Sequence, residues 1–229
     1  MNPKFPLSFA LLAVLFTLPV AAAEPDLFQV WKLPKAVWTL KTTEGKTPPL
    51  NEAGKALYAK RQAARASGKP IDDGVLSCLP HGYPRLLLSA YPFRIFQKPQ
   101  FVAFVHELQH VHRVAYLGED NEPADSLDPA YMGYPVARYD GDRLVVTSNG
   151  FNDKTTLDRS GLPHGERLKL TESWGLIDGG RHLEAVITVD DAEFYEKPWT
   201  ARVVFDKGDP RQQFAEYVCT DVNPEATMK

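Results

Sequence analysis

Hydrophobic and polar positions alternate with a period of two over most of the chain from Cys78 onward. The runs Phe93–Gln97, Gln100–Val105, Val111–Leu117, Tyr134–Tyr139, Arg143–Ser148, Arg167–Trp174, His182–Asp190, Ala201–Phe205 and Phe214–Cys219 are short, β-branched and aromatic. Turn signals at Asp140-Gly141, Asp178-Gly179-Gly180 and Lys207-Gly208-Asp209-Pro210 separate several of them. This spacing predicts an antiparallel meander rather than βαβ units. So many strands in one open sheet would leave too much unpaired edge, so the pattern predicts a mainly β fold closed into a barrel or sandwich. Upstream the pattern differs. Asn51 can cap a helix running through Lys60 to Arg65, and Ser67-Gly68-Lys69-Pro70 ends it. Residues 24–49 carry scattered aromatics and prolines, and read as an extended wrap.

Met1–Ala23 has the form of a secretory signal. Lys4 gives the positive start, Leu7–Leu18 the apolar stretch, and Ala21-Ala22-Ala23 the cleavage site. The apolar stretch is too short to span a bilayer, which needs about 20 residues. The expected organisation is a signal at 1–23, the wrap and helix at 24–75, a barrel domain at 76–222 and a tail at 223–229. The expected location is periplasmic or secreted, with no stable membrane insertion after cleavage. In an exported chain the pair Cys78 and Cys219 is expected as a disulfide. Closing so long a loop contributes up to about 4–5 kcal/mol by chain entropy. The formal charge of −3 and the lack of a basic stripe argue against a nucleic-acid partner.

The longest connection, Asn149–Glu166, lies between two strand runs and exceeds an ordinary hairpin loop; loops of this length are functional or disordered. It mixes Phe151, Leu157 and Leu162 with Asn152, Asp153, Asp158 and His164. Asn152 and Asp153 are expected to hold it through bonds to its own backbone, with turns at Gly150 and Gly161. Asp158 and His164 are candidate acid/base residues over the barrel mouth. In Arg167–Trp174 the set Leu168, Leu170, Glu172 and Trp174 faces inward, which buries a carboxylate. Glu172 is therefore either paired, for instance with Arg138, or an acid/base group near His164. Arg138 shares a strand face with Tyr134 and Val136, and Tyr134 and Arg138 are candidate ligand contacts together with Asn152 and Asp153.

His106-Glu107-Leu108-Gln109-His110 matches H-E-x-x-H, but that zinc chemistry requires a helix to bring both imidazoles to one metal. The β-rich runs on either side predict a hairpin connection instead. Glu107 and His110 remain candidate site residues, and metal use by His106, His110 and His112 stays open. No Ser-hydrolase elbow, P-loop or dinucleotide fingerprint is present, and the identity of any cofactor stays open.

Several segments carry a resemblance together: Cys78-Leu79-Pro80-His81-Gly82-Tyr83-Pro84-Arg85, Met132-Gly133-Tyr134, Gly150-Phe151-Asn152-Asp153-Lys154-Thr155, Leu157-Asp158, Gly161-Leu162-Pro163-His164 and Lys197-Pro198-Trp199-Thr200. They resemble a group of exported bacterial proteins with a lipocalin-like β-barrel form, over about Asn51 to Thr220. An aromatic stands at the His106 position in that group's pattern, while Glu107 and His110 fit it. The resemblance implies a fold more firmly than an activity. The sequence thus leads to a barrel that binds a small amphipathic or aromatic molecule in a polar-lined cavity. An acid/base lyase, isomerase or hydrolase at the same cavity is the alternative, and an envelope interaction protein a third reading.

Overall fold

The computed structural model describes residues 24–69, 71, 78–118 and 127–219. The expected signal at 1–23 and tail at 223–229 fall outside these residues. Nine strands close into one barrel: β1 (Val30–Lys32), β2 (Phe93–Lys98), β3 (Phe101–His106), β4 (His112–Leu117), β5 (Tyr134–Asp140), β6 (Arg143–Asn149), β7 (Lys169–Ile177), β8 (His182–Asp190) and β9 (Trp199–Lys207). The sequence places β2 to β9 within a few residues of these bounds.

Three features differ from the expected meander. Within the wrap, β1 forms a short strand that pairs with both β2 and β9 and so closes the circumference. β4 and β5 run parallel, joined only at Tyr116↔Val136 and Leu117↔Ala137. The connection between them returns the chain to the end where β4 began. Finally, the Phe214–Cys219 run joins no ladder. With β1 already seated beside β9, no edge remains for it, and it lies across the barrel as an extended strap.

The interior follows from alternation. Phe93 and Ile95 of β2, Phe104 of β3, Ala115 of β4, Val146 of β6, Leu170 and Trp174 of β7, Ile187 of β8 and Phe205 of β9 are all buried in one cluster. Fully burying a side chain of this size contributes roughly 1.5–3 kcal/mol. One barrel end collects the starts of β2, β4, β5, β7 and β9, and the long connections lie there.

Helix α1 (Glu52–Ala66) covers that end. Asn51 caps it, its side chain accepting the Gly54 N–H at 2.9 Å. Its side chains engage the carbonyls of the Asn149–Glu166 loop. Arg61 donates to Gly161 O at 3.2 Å, Arg65 to Arg159 O at 2.5 Å and Gln62 to Ser160 O. The disulfide joins Cys78 to Cys219, so the segment leading into β2 is tied to the strap.

Candidate functional site

Glu172 lies between Leu170 and Trp174 on the inward face of β7 and is fully buried, as the alternation requires. Its partner is Arg113 of β4 rather than Arg138. Arg113 Nη1 donates to Glu172 Oε2 at 2.6 Å, and Arg113 Nη2 donates to Ser148 Oγ at 2.5 Å. Arg138 is exposed. On β5 it is Ala137 that points into the core, so Tyr134, Val136 and Arg138 share the outer set, and the Tyr134 hydroxyl donates to Asp128 O at 2.7 Å. An inward Glu needs a cation on the inward set of another strand, and Arg113, two residues before the buried Ala115, provides it.

Aromatic rings enclose the pair. The Arg113 guanidinium lies 4.0 Å from the centroid of the Tyr83 ring. The Tyr83 hydroxyl is 3.2 Å from His106 Nε2, and Phe93 stacks on His106 at 5.3 Å. Trp174 contacts Phe104 at 5.2 Å and Phe205 at 5.8 Å between ring centroids. Burial, reinforced by the Arg113 charge, holds the His106 imidazole down at about 3, so it is neutral near pH 7. Burial also drives the Tyr83 phenol upward. It pushes the Glu172 carboxyl up as well, against the downward pull of Arg113. Two polar atoms on the inward face of β7 have no hydrogen-bond partner among the described residues: Glu172 Oε1, an acceptor, and Trp174 Nε1, a donor. Buried polar atoms are normally paired, so an unpaired acceptor and donor two residues apart need an explanation.

Tyr83 enters this interior from the irregular segment 80–89, whose Leu86, Leu87 and Leu88 are buried. The long loop locks it in place. Gly82 has φ +73°, and a Cβ there would stand 2.5 Å from Thr155 Oγ1, so only glycine permits this approach. Arg85 Nη1 donates to Thr156 Oγ1 at 2.9 Å.

Inside the loop, Asp158 is fully buried and accepts four hydrogen bonds: from Leu40 N at 2.8 Å, Ser160 Oγ at 2.8 Å, Gly161 N at 2.9 Å and Leu162 N at 3.1 Å. Burial raises its carboxyl while these bonds pull it down. His164 is buried too, its Nε2 2.8 Å from Thr155 Oγ1, and burial lowers the imidazole to about 4. Asn152 accepts the Lys154 N–H at 3.1 Å, as expected of a loop-holding Asn, and Phe151 and Leu157 are buried anchors. Asp153 is exposed. No hydrogen bond or ion pair joins His164 to Glu172. The acidic groups acting on His164 are Asp191 and Asp153, and the charge acting on Glu172 is that of Arg113.

The H-E-x-x-H segment forms no α-helix. A single 3₁₀ turn spans Leu108–His110, with Gln109 at φ 61° and His110 at φ 49°. His106 is buried inside the barrel, whereas His110 and His112 are exposed, and no group of three metal-ligating side chains occurs among the described residues. Glu107 and His110 instead hold the strap, Glu107 Oε2 accepting Ala215 N–H at 2.9 Å and His110 Nε2 accepting Tyr217 N–H at 3.1 Å. Gln109 fastens the other side, bonding His81 N and Leu79 O, each at 3.0 Å.

Sequence reasoning found Glu172 and Trp174 as inward residues but missed Arg113, Ser148 and Tyr83. Parity along His112–Leu117 would have found Arg113. Tyr83 stands in irregular chain and leaves no periodic signal. Fold and site together define a closed β-barrel with an aromatic-walled polar cluster beneath a tyrosine-bearing plug. Comparisons with protein-family models, curated proteins and solved structures return no match.

Proposed function

We propose that this protein is an exported, lipocalin-like barrel that binds one small amphipathic or aromatic molecule inside, against Trp174, Phe104 and Phe205. The unpaired pair Glu172 Oε1 and Trp174 Nε1 carries this reading. A ligand with one hydrogen-bond donor and one acceptor on an apolar body would satisfy both, and few well-placed polar groups in an apolar wall are what such sites use. Because Arg113 already neutralises Glu172, a neutral donor such as an amide N–H or hydroxyl fits better than a second cation. Tyr83 on its plug would be the residue that moves aside on entry.

The Cys78–Cys219 disulfide is compatible with export, and no helix among the described residues is long and apolar enough to cross a membrane. Thermal-shift and calorimetric titration with a panel of aromatic amides, phenols, quinones and fatty acids tests the proposal. At least one class should bind the parent chain and lose affinity in Trp174→Phe while that variant still unfolds in a single cooperative transition. If no class binds, or binding is indifferent to Trp174→Phe and Glu172→Gln, the reading falls.

The acid/base alternative has one observation in its favour, the 2.8 Å approach of Thr155 Oγ1 to His164 Nε2. In that case a bound panel member would be released chemically altered, and His164→Ala would abolish the change while leaving the melting temperature nearly intact. A large stability loss without any effect on turnover would make His164 a brace of the loop.

A further inference from the structure

A concavity lies outside the barrel. The chain from Thr43 to Pro49 arches over the outer face of β8 and β9 and is pinned at both feet. Thr43 N–H bonds Thr200 O at 2.9 Å, and Glu196 N–H bonds Pro49 O at 2.9 Å, next to the Leu50↔Tyr195 bridge. Between the feet the arch is braced by its own turn, Gly45 N–H to Thr42 O at 2.7 Å and Lys46 N–H to Thr42 Oγ1 at 3.2 Å. Under it runs a groove of about 590 Å³. That volume is within the usual range of small-molecule sites, roughly 300–1,000 Å³.

The chemistry of the walls is dense in hydroxyls and cationic at its rim. Thr47 of the arch faces Thr188 and Thr200, a cross-strand pair of β8 and β9. Lys46 and Lys197 line the groove, and neither makes an ion pair among the described residues. Glu44 lines it too, its carboxylate accepting the Thr43 hydroxyl at 3.1 Å, so the rim carries two ammonium groups against one carboxylate. Pro49 and Pro198 give it apolar faces, and the largely buried Trp199 lines it as well. β8 is paired on both sides, and so is β9. A peptide therefore finds no strand edge there to extend, and the amides of Thr43, Gly45 and Lys46 are already bonded. Recognition in this groove must go through side chains: hydroxyls that both donate and accept, flat apolar faces, and two ammonium groups that outweigh the single Glu44 carboxylate.

We propose that the groove beneath the Thr43–Pro49 arch is a binding site for a short anionic oligosaccharide, with Lys46 and Lys197 on its acidic groups and the Thr47 and Thr188 hydroxyls on its ring hydroxyls. Pro49 and Pro198 lie along the apolar faces of the pyranose rings. Because both feet of the arch are pinned, the site is formed before binding, which reduces the ordering cost of association. This site is separate from the barrel interior, and either can exist without the other.

The test is a titration of the isotope-labelled full chain with trigalacturonate, followed by amide resonances. Maltotriose and tetraglutamate serve as the neutral sugar and the acidic peptide. Trigalacturonate should shift Thr47, Thr188 and Lys197, with maltotriose weaker at the same positions and tetraglutamate without effect on Thr47 and Thr188. The double variant Lys46→Ala/Lys197→Ala should weaken trigalacturonate by about tenfold or more, as loss of charge-assisted hydrogen bonds implies, with an unchanged melting curve. The proposal is overturned if these resonances stay still at millimolar trigalacturonate, if the double variant binds like the parent, or if tetraglutamate produces the same shifts.

Discussion

Asp158 and Glu172 are both fully buried carboxylates, one in the long loop and one in the barrel wall. Their surroundings are opposite. Both oxygens of Asp158 are occupied by four donors, three of them backbone amides. Glu172 has one oxygen on Arg113 and the other unpaired among the described residues. Burial alone therefore does not mark a binding group; what separates the two residues is whether the fold has already used their lone pairs. Asp158 organises chain, drawing Leu40 of the wrap onto the loop, whereas Glu172 keeps an acceptor in reserve within an aromatic shell.

The sharpest way to break this comparison is to remove the cation. Arg113→Met leaves Glu172 buried without its partner and should cost about 3–5 kcal/mol in chemical denaturation. The double variant Arg113→Met/Glu172→Leu should recover most of that loss, since well-packed apolar replacements of a buried pair are often neutral or better. A single variant as stable as the parent would show that Glu172 is not charged in the folded state. Acid titration separates the regions next. His164 is held near 4 by burial, below an unfolded value of about 6.5, so the unfolded chain binds more protons between those limits. The His164 contribution should therefore be lost as pH drops through that window, by on the order of 3 kcal/mol, and level off below it. His106, held at about 3, adds its own loss from the same upper limit and carries it to lower pH. His164→Gln should lessen the slope in the upper part of this limb and His106→Gln along its whole length, read from denaturation midpoints at several pH values.

Smaller effects sharpen the contrast further. Asp158→Asn retains Oδ1 and its three donors but turns an amide group toward the Leu40 N–H, so a loss of roughly 1–3 kcal/mol is expected. Faster hydrogen exchange at Leu40 would locate it. Trp174→Phe removes a buried N–H that has no partner among the described residues and leaves a small cavity in the aromatic core, so it should cost the lost volume alone, on the order of 1–2 kcal/mol. A loss well beyond about 3 kcal/mol would mean that the indole N–H has a structural partner, and the contrast would disappear.

Alternation made Glu172 legible because β7 is long and its neighbours Leu170 and Trp174 are unambiguous. The same logic was available for Arg113 but was obscured by the neighbouring histidines, and pairing Glu172 with Arg138 put a cation from the wrong face of β5 opposite it. The cysteine pair was readable from its context, and the loop anchors Phe151, Leu157 and Asn152 from residue type. The parallel β4–β5 seam and the three-residue β1 were not, because two or three residues carry no period. Tyr83 was invisible for a related reason: its place is decided by Gly82 fitting under Thr155, a contact 73 residues away in sequence that no local pattern encodes. H-E-x-x-H misleads as a string because positive φ at Gln109 and His110 forbids the helix that would give it meaning.

The Cys78–Cys219 bond also sets an order of events. Cys78 precedes β2 and Cys219 follows β9, 141 residues later, so eight of the nine strands lie between them. An oxidant that meets Cys78 early finds no partner, because the second thiol emerges only after every strand of the wall has been made. The strap is then guided to it by Glu107 and His110, which exist as a tip only once β3 and β4 have paired. The bond can therefore report completeness of the chain: one that carries it has all eight of these strands between its joined ends, and one that lacks it keeps a thiol at each end of the wall.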